Sequence, residues 1–366
     1  MGAGWVSQRY SGQGGKGGKT HRSPRQGFSK TSSVIAQYRD AWLAGLPAHV
    51  GLDAPSNIPT VISVGGGKGG VGKSILSANL AAKLGHAGYK VLLVDLDLGS
   101  ANLHTYFGLS MPDATLAQFI LYHQHSFDEL IVPTAAPGVS LVAGGKDESW
   151  SDSADFGSGS LLSLWDSLLR TKKDQKFDFV ILDLGAGTHR HTIDFYCSAH
   201  VGIVTVLPEP TSIENAYSFL KATLWRIIEN AGMHMNACAA ADDVKEELFN
   251  PQRGGGSGSL LRKIHKLHKV YPELIEHIYL ALKGRQIGFV VNQIRSQRDI
   301  DIGSSMEAVC KNYFGFNTAF LGYMNYDDAA WKSLRNRRLL VLDFPHCILT
   351  RRINEVTMNV LSSLGY

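Results

Sequence analysis

VISVGGGKGGVGKSILSAN, residues Val61–Asn79, is the stretch on which the fold turns. Its first residues lean apolar and read as a strand; a glycine-rich turn follows, and then a helix opens. Gly67-Lys68-Gly69-Gly70-Val71-Gly72-Lys73-Ser74 fits the phosphate-binding pattern G-x-x-x-x-G-K-[ST]. Glycines reach backbone angles closed to other residues, so successive N–H groups can turn inward on one anion. The helix behind them adds the positive end of its dipole. Lys73 is spaced to reach terminal phosphates, and the Ser74 hydroxyl is a ligand for Mg2+. The competing reading, a glycine-rich βα turn that binds nothing, does not account for the full pattern between strand and helix.

The acids such a site needs come next. Lys90–Asp95 (KVLLVD) is a continuous apolar run, as expected of a parallel strand covered on both faces. It leads into DLDLGSANLH, so Asp95 and Asp97 lie at the strand's carboxyl end, the edge at which open α/β sheets bind ligands. Phe177–Asp183 (FDFVILD) is a second buried strand ending in an acid, a Walker B pattern in which Asp183 holds a Mg2+-bound water. DLGAG, Asp183–Gly187, resembles a switch II loop, which implies that the amides of Gly185 and Gly187 respond to a terminal phosphate. Val201–Leu207 and Ile287–Asn292 read as further buried strands, and Ala319–Tyr323 as a last short one. The expected fold is α/β: a doubly wound, mostly parallel sheet with helices on both faces.

The chain has 366 residues, enough for one large domain or two ordinary ones, and 44% of them are hydrophobic, normal for a protein with a real core. A net charge of +4 gives no whole-molecule case for nucleic-acid binding. Cys197, Cys238, Cys310 and Cys347 are scattered and form no C-x-x-C pair, so neither a zinc site nor a disulfide framework is indicated, and a reducing cytosol suits them. No apolar run approaches the ~18 residues of a membrane span, and no apolar signal core stands near Met1.

One further residue narrows the family. Lys68 follows the first glycine of the pattern, and KGGVGKS resembles the deviant Walker A loop of the MinD/ParA ATPases. The resemblance covers roughly residues 58–366. It implies ATP and Mg2+ as ligands and two nucleotides sandwiched face to face in a homodimer, with Lys68 crossing to the partner's phosphates. By the same resemblance Asp97 orients the attacking water, Asp95 lies near the Mg2+ shell, Asn102 is nucleotide-proximal, and Asn292 hydrogen-bonds the adenine. DLGAGT, the PEPTSIENAY segment (Pro208–Tyr217) and a helical insertion resemble the FlhG/FleN-like branch, which regulates flagellar number and place. That branch implies flagellar or chemotaxis proteins as partners, or an SRP-type GTPase (FlhF). It also implies a cytoplasmic protein that visits the inner face of the cytoplasmic membrane. Residues 1–57 carry no copy of the motif with which flagellar members stimulate that GTPase. The alternatives are a ParA-like partition ATPase, which would work on DNA, and a non-hydrolysing nucleotide-bound adaptor.

The expected organisation is a basic disordered tail over 1–33, a helix and linker over 34–57, and the ATPase domain over 58–366. Thr211 or Ser212 can cap the helix after Val201–Leu207. Residues 232–284 form the helical insertion, in which Leu260–Val270 (LLRKIHKLHKV) is basic and amphipathic. It is expected to pack beside the sheet with its basic face solvated, the alternative being a docking surface. At the C-terminal end, Ile353, Val356, Val360, Leu361 and Leu364 form a helical stripe that packs on the core or, as in membrane-targeted relatives, inserts into lipid.

Overall fold

The structure is a computed structural model. It describes residues 59–98, 100–122, 124–145, 164, 166–167, 177–249 and 260–366, the side chains of 260–262 excepted. The expected tail and the helix and linker lie outside the described residues, as do 146–160 and 254–258, which composition reads as Gly/Ser-rich loops; apolar spacing reads 161–169 as a helix, of which Leu164, Asp166 and Ser167 are described and are helical.

Among the described residues the chain builds an 8-stranded sheet in the order β3-β4-β2-β5-β1-β6-β7-β8. The strands are β1 (Thr60–Gly65), β2 (Val91–Leu96), β3 (Ile131–Pro133), β4 (Val139–Val142), β5 (Phe179–Leu184), β6 (Val201–Val206), β7 (Gln286–Ile294) and β8 (Asn317–Asn325). All pairings are parallel except β3 with β4 at one edge. Every residue of β2, β5 and β6 is buried, because helices cover both sheet faces. Leu92 and Val94 enter one core layer while Val91 and Leu93 enter the other, the alternation a pleated strand imposes. β7 and β8 run further than the apolar runs indicated, and Asn292 lies inside β7 rather than closing it.

One face carries α1 (Lys73–His86), through Leu76, Leu80 and Leu84. The C-terminal helix Ile348–Ser363 joins it there, with Ile353, Val356 and Val360 fully buried. Its apolar stripe is therefore core, which corrects the lipid-inserting alternative for this helix. The other face carries α2 (Leu116–Tyr122), α3 (Arg190–Ser198), α4 (Pro210–His234) and the insertion. Glu209 occupies the N-cap position of α4; Ser212 instead accepts from Leu207 N–H at 2.9 Å, so neither proposed residue caps the helix.

The insertion begins later than expected, since α4 runs unbroken to His234. Three helices follow: α5 (Cys238–Phe249), which periodicity did not reveal, then α6 (Leu260–His268) and α7 (Pro272–Lys283). Gly232 lets α5 approach closely, because a Cβ there would stand 2.4 Å from the Ala241 Cβ. Leu267, Leu274, Ile278 and Leu282 are buried in the same core layer as Ile227 and Ile228 of α4, while Lys266 points to solvent. The helical pair thus packs beside the sheet with Lys266 and Lys269 outward, whereas Lys263 turns back and donates to the Glu247 and Leu248 carbonyls at 3.1 and 3.2 Å.

Arg285 ties this unit to α3. It is 4% exposed, and its guanidinium donates to the Cys197 carbonyl at 3.1 and 3.0 Å and to the Ala281 carbonyl at 3.1 Å. These carbonyls end α3 and α7, whose last C=O groups have no helical partner. Arg285→Ala should lower stability by roughly 2–4 kcal/mol, through orphaned carbonyls and a cavity. Urea denaturation checks this, and a loss below about 1 kcal/mol would mean other donors reach both carbonyls.

Candidate functional site

Three loops meet at the carboxyl ends of β1, β2 and β5. The first is the glycine-rich turn. Gly70 (φ 76°) and Gly72 (φ 97°) are left-handed, which only glycine adopts without strain. Gly72 is the N-cap of α1, and no side chain caps that helix, so its first N–H groups stay available for an anion. Gly67 is needed for space: a Cβ there would lie 2.0 Å from the Asn215 carbonyl oxygen of α4. Gly69 and Val71 complete the turn, Val71 buried and Gly69 exposed.

Lys73 is buried, with its Nζ 3.5 Å from the Lys68 carbonyl oxygen. Burial lowers its pKa, and the charges of Asp183 and Asp97 oppose that shift. Ser74 and Ser77 both donate to the Asp183 carboxylate, Ser77 Oγ at 2.8 Å from Oδ1. Asp183 is pushed up to about 6, chiefly by burial, against the pull of both hydroxyls and Lys73.

The second loop follows β2. Parallel register sets Asp95 beside Asp183. The Asp95 carboxylate accepts from Asp97 N–H at 3.1 Å and Leu103 N–H at 3.0 Å, so it clasps both ends of the loop that carries Asp97. Burial, reinforced by the Asp183 charge, holds its pKa well above the usual carboxylate range. Asp97 is half-buried. Asn102 is exposed on the same loop and donates to the Ser100 carbonyl at 2.7 Å.

The third loop follows β5. Gly185 lies against Asp97: a Cβ on it would stand 3.4 Å from Asp97 Oδ1. Gly187 (φ 95°) donates its N–H to the Gly66 carbonyl at 3.4 Å, joining this loop to the first. The predicted P-loop, strand-end acids and switch glycines therefore form one constellation.

Two lysines of the motif part company. Lys73 points into the site, whereas the Lys68 ammonium lies 3.5 Å from both Glu209 Oε2 and Thr211 Oγ1 at the start of α4, with the Lys68 side chain 40% exposed. Asn292 Nδ2 donates to the Val71 carbonyl at 2.9 Å, and Asn292 Oδ1 accepts from Gln293 N–H at 2.7 Å. Its amide thus braces the P-loop, a role beside the base contact that the resemblance implied. Next to the P-loop opens a cleft of about 570 Å³, lined by Gly70, Tyr106, Asn292, Asn325, Tyr326 and Trp331 among others. Arg295 stacks 4.1 Å above the Tyr326 ring at its rim. Ser77 was missed by sequence reasoning, its one signal being its i+3 spacing from Ser74.

The residues fit a magnesium nucleotide. Glycine amides and Lys73 suit a polyphosphate, and the cleft has room for a base and sugar. The Ser74 hydroxyl and the Asp183 carboxylate are oxygens of the kind Mg2+ takes beside waters and substrate phosphates.

Comparison with known proteins points the same way. The profile of the CobQ/CobB/MinD/ParA nucleotide binding domain matches residues 62–340. The antiactivator FleN of Pseudomonas aeruginosa is 33% identical over 161 residues, 44% of this chain and 55% of FleN. The flagellum site-determining protein YlxH of Helicobacter pylori is 32% identical over 165 residues, 44% of this chain and 52% of YlxH. The chain spans about half the length of these curated relatives. The septum site-determining protein MinD of Pyrococcus horikoshii, solved with Mg-ADP, shares the fold, with a TM-score of 0.54 at 20% identity over 84% of this chain and 99% of that one. With the phosphate loop, the strand-end acids and most of the parallel sheet inside the matched residues, the chain belongs to the CobQ/CobB/MinD/ParA nucleotide-binding domain family.

Proposed function

We propose that this protein is a Mg2+-dependent ATPase switch that dimerises with ATP and positions or counts a large cellular assembly, the flagellum first among them. The observation that carries this is the split of the two motif lysines: Lys73 is buried beside the acids, while Lys68 stands at the rim with long contacts to Glu209 and Thr211 among the described residues. A half-exposed cation on a phosphate loop can serve a second subunit. Bound Mg2+·ATP supplies the scissile phosphate and the cation that offsets its charge. Lys73 and the loop amides bind that phosphate, Ser74 and Asp183 hold the metal shell, and Asp97 orients water. Asp95 stands near that metal shell, and Asn102, Gly185 and Gly187 carry the nucleotide state into the switch loops. Turnover is slow, because charge stabilisation is complete only when Lys68 of each subunit reaches the other's site.

The similarity to FleN and YlxH supports the flagellar role, with flagellar or chemotaxis proteins or an SRP-type GTPase as partners. No helix among the described residues is long and apolar enough to cross a membrane. Lys68→Ala should bind fluorescent ATP within about threefold of the parent, a difference under 1 kcal/mol, yet remain monomeric with Mg2+·ATP in light scattering. An ATP-dependent dimer of that variant would refute the role given to Lys68.

A further inference from the structure

We propose that Ser77 is a positioning residue of this nucleotide site, fixing the rotamer of the Asp183 carboxylate that is to hold the magnesium shell. The inference rests on the nucleotide-site reading above. Ser77 is 0% exposed and lies one helical turn deeper than Ser74, so it cannot touch a ligand itself. Its hydroxyl has two acceptors in range: Asp183 Oδ1 at 2.8 Å and the Lys73 carbonyl oxygen at 3.0 Å. It has one proton to give. The carboxylate is the shorter and, when ionised, the charge-assisted partner, so the proton goes to Asp183. Back-bonding to the i−4 carbonyl is the ordinary fate of a helical serine and is the competing role.

The arrangement follows from helix spacing. Lys73, Ser74 and Ser77 share one face of α1, and that face lies against the end of β5. Asp183 is 1% exposed, so water cannot orient it. Ser74 is the hydroxyl that the motif gives to the metal, and its orientation is set by that task. Ser77 has no such duty. It is the donor that remains on Asp183 whatever Ser74 does, and it fixes the carboxylate torsion before ligand arrives. Partners of this kind, one step removed from a metal, commonly alter metal affinity by about 10- to 100-fold when lost.

The test uses the full chain. Ser77→Ala and Ser77→Thr are titrated with a fluorescent ATP analogue, once with saturating Mg2+ and once with EDTA, and melting temperatures are recorded. For Ser77→Ala the expected result is an affinity about tenfold weaker with Mg2+ and within about twofold of the parent in EDTA. Ser77→Thr, which keeps the hydroxyl, should restore the Mg2+ affinity to within about threefold. Should the added methyl unfold Ser77→Thr, the pair Asp183→Ala and Asp183→Ala/Ser77→Ala, in which position 183 offers the Ser77 hydroxyl no acceptor, replaces it. Losing Ser77 should then change nothing further, because its target is already gone. Unchanged Mg2+ dependence in Ser77→Ala overturns the proposal. So does a parallel fall of both affinities and of melting temperature, which marks Ser77 as packing alone. A parent protein whose affinity ignores Mg2+ defeats the nucleotide-site reading first, and this proposal with it.

Discussion

An Asp183→Asn protein is expected to be more stable than its parent at neutral pH without nucleotide, and inert toward Mg2+·ATP. Burial raises the Asp183 carboxyl from 3.8 to about 6 in the folded chain. The folded state therefore binds this proton more tightly than the unfolded state. Between about pH 4 and 6 the native protein holds more protons, so stability falls as pH rises through that window. Above about pH 6 the deficit is complete, at most roughly 3 kcal/mol for a shift of about two units. Asparagine has the same shape and no charge, and its amide oxygen can still accept from Ser77. Its advantage should appear in urea denaturation at pH 7 and vanish near pH 4. Asp95, the register neighbour of Asp183, adds to the effect, since the Asp183 charge raises its pKa too. Steady-state hydrolysis should fall by at least about 100-fold, the scale on which charge-stabilising groups act. A variant less stable than its parent at pH 7 would show that the buried charge is already compensated.

The same pair of acids shows how far the sequence could be read. Asp95 and Asp183 were legible because each ends a continuous apolar run, and a buried parallel strand has no other way to end in an acid at the ligand edge. Local pattern carried the P-loop for the same reason: its chemistry is written in consecutive residues. What stayed hidden depends on partners far along the chain. Ser77 meets Asp183 across 106 residues, and its i+3 spacing from Ser74 within α1 does not say which acid it reaches. Asn292 meets Val71 across 221, so its bond to the P-loop could not be anticipated from the turn chemistry around it. Helix α5 was missed because its segment is rich in alanine and charge, and only Ala241, Val244, Lys245 and Leu248 are buried. So thin a stripe gives weak periodicity. The C-terminal stripe was visible, yet a stripe alone does not say whether protein or lipid covers it; packing beside α1 in the same core layer decides that.

Gly67→Ala should weaken nucleotide binding at least about 100-fold, nearly 3 kcal/mol, and its neighbours supply the controls. The obstacle is space, not backbone angle. A Cβ at Gly67 would meet Asn215 O at 2.0 Å and Asn215 C at 2.5 Å, both main-chain atoms of α4. That helix cannot yield cheaply, because Phe219 and Leu220 beyond it are fully buried. The phosphate loop must move instead, and overpacking of this kind costs about 1–3 kcal/mol of stability as well. Gly70 presents the opposite case: φ is 76° and nothing lies within 4 Å, so Gly70→Ala bears only the left-handed penalty of about 1–2 kcal/mol. Gly69→Ala meets only the Ala186 Cβ at 4.0 Å and should be nearly neutral for the free protein. Gly72→Ala combines φ 97° with Asn292 Nδ2 at 2.1 Å; the amide can swing aside, but then loses the Val71 carbonyl it braces. Fluorescent-ATP titration and urea melts of the four variants should therefore rank stability loss as Gly69 least, Gly70 next, then Gly72 and Gly67. Equal nucleotide affinity in Gly67→Ala and Gly69→Ala would show that α4 yields to the loop, and that contact with α4 does not set the shape of the phosphate site.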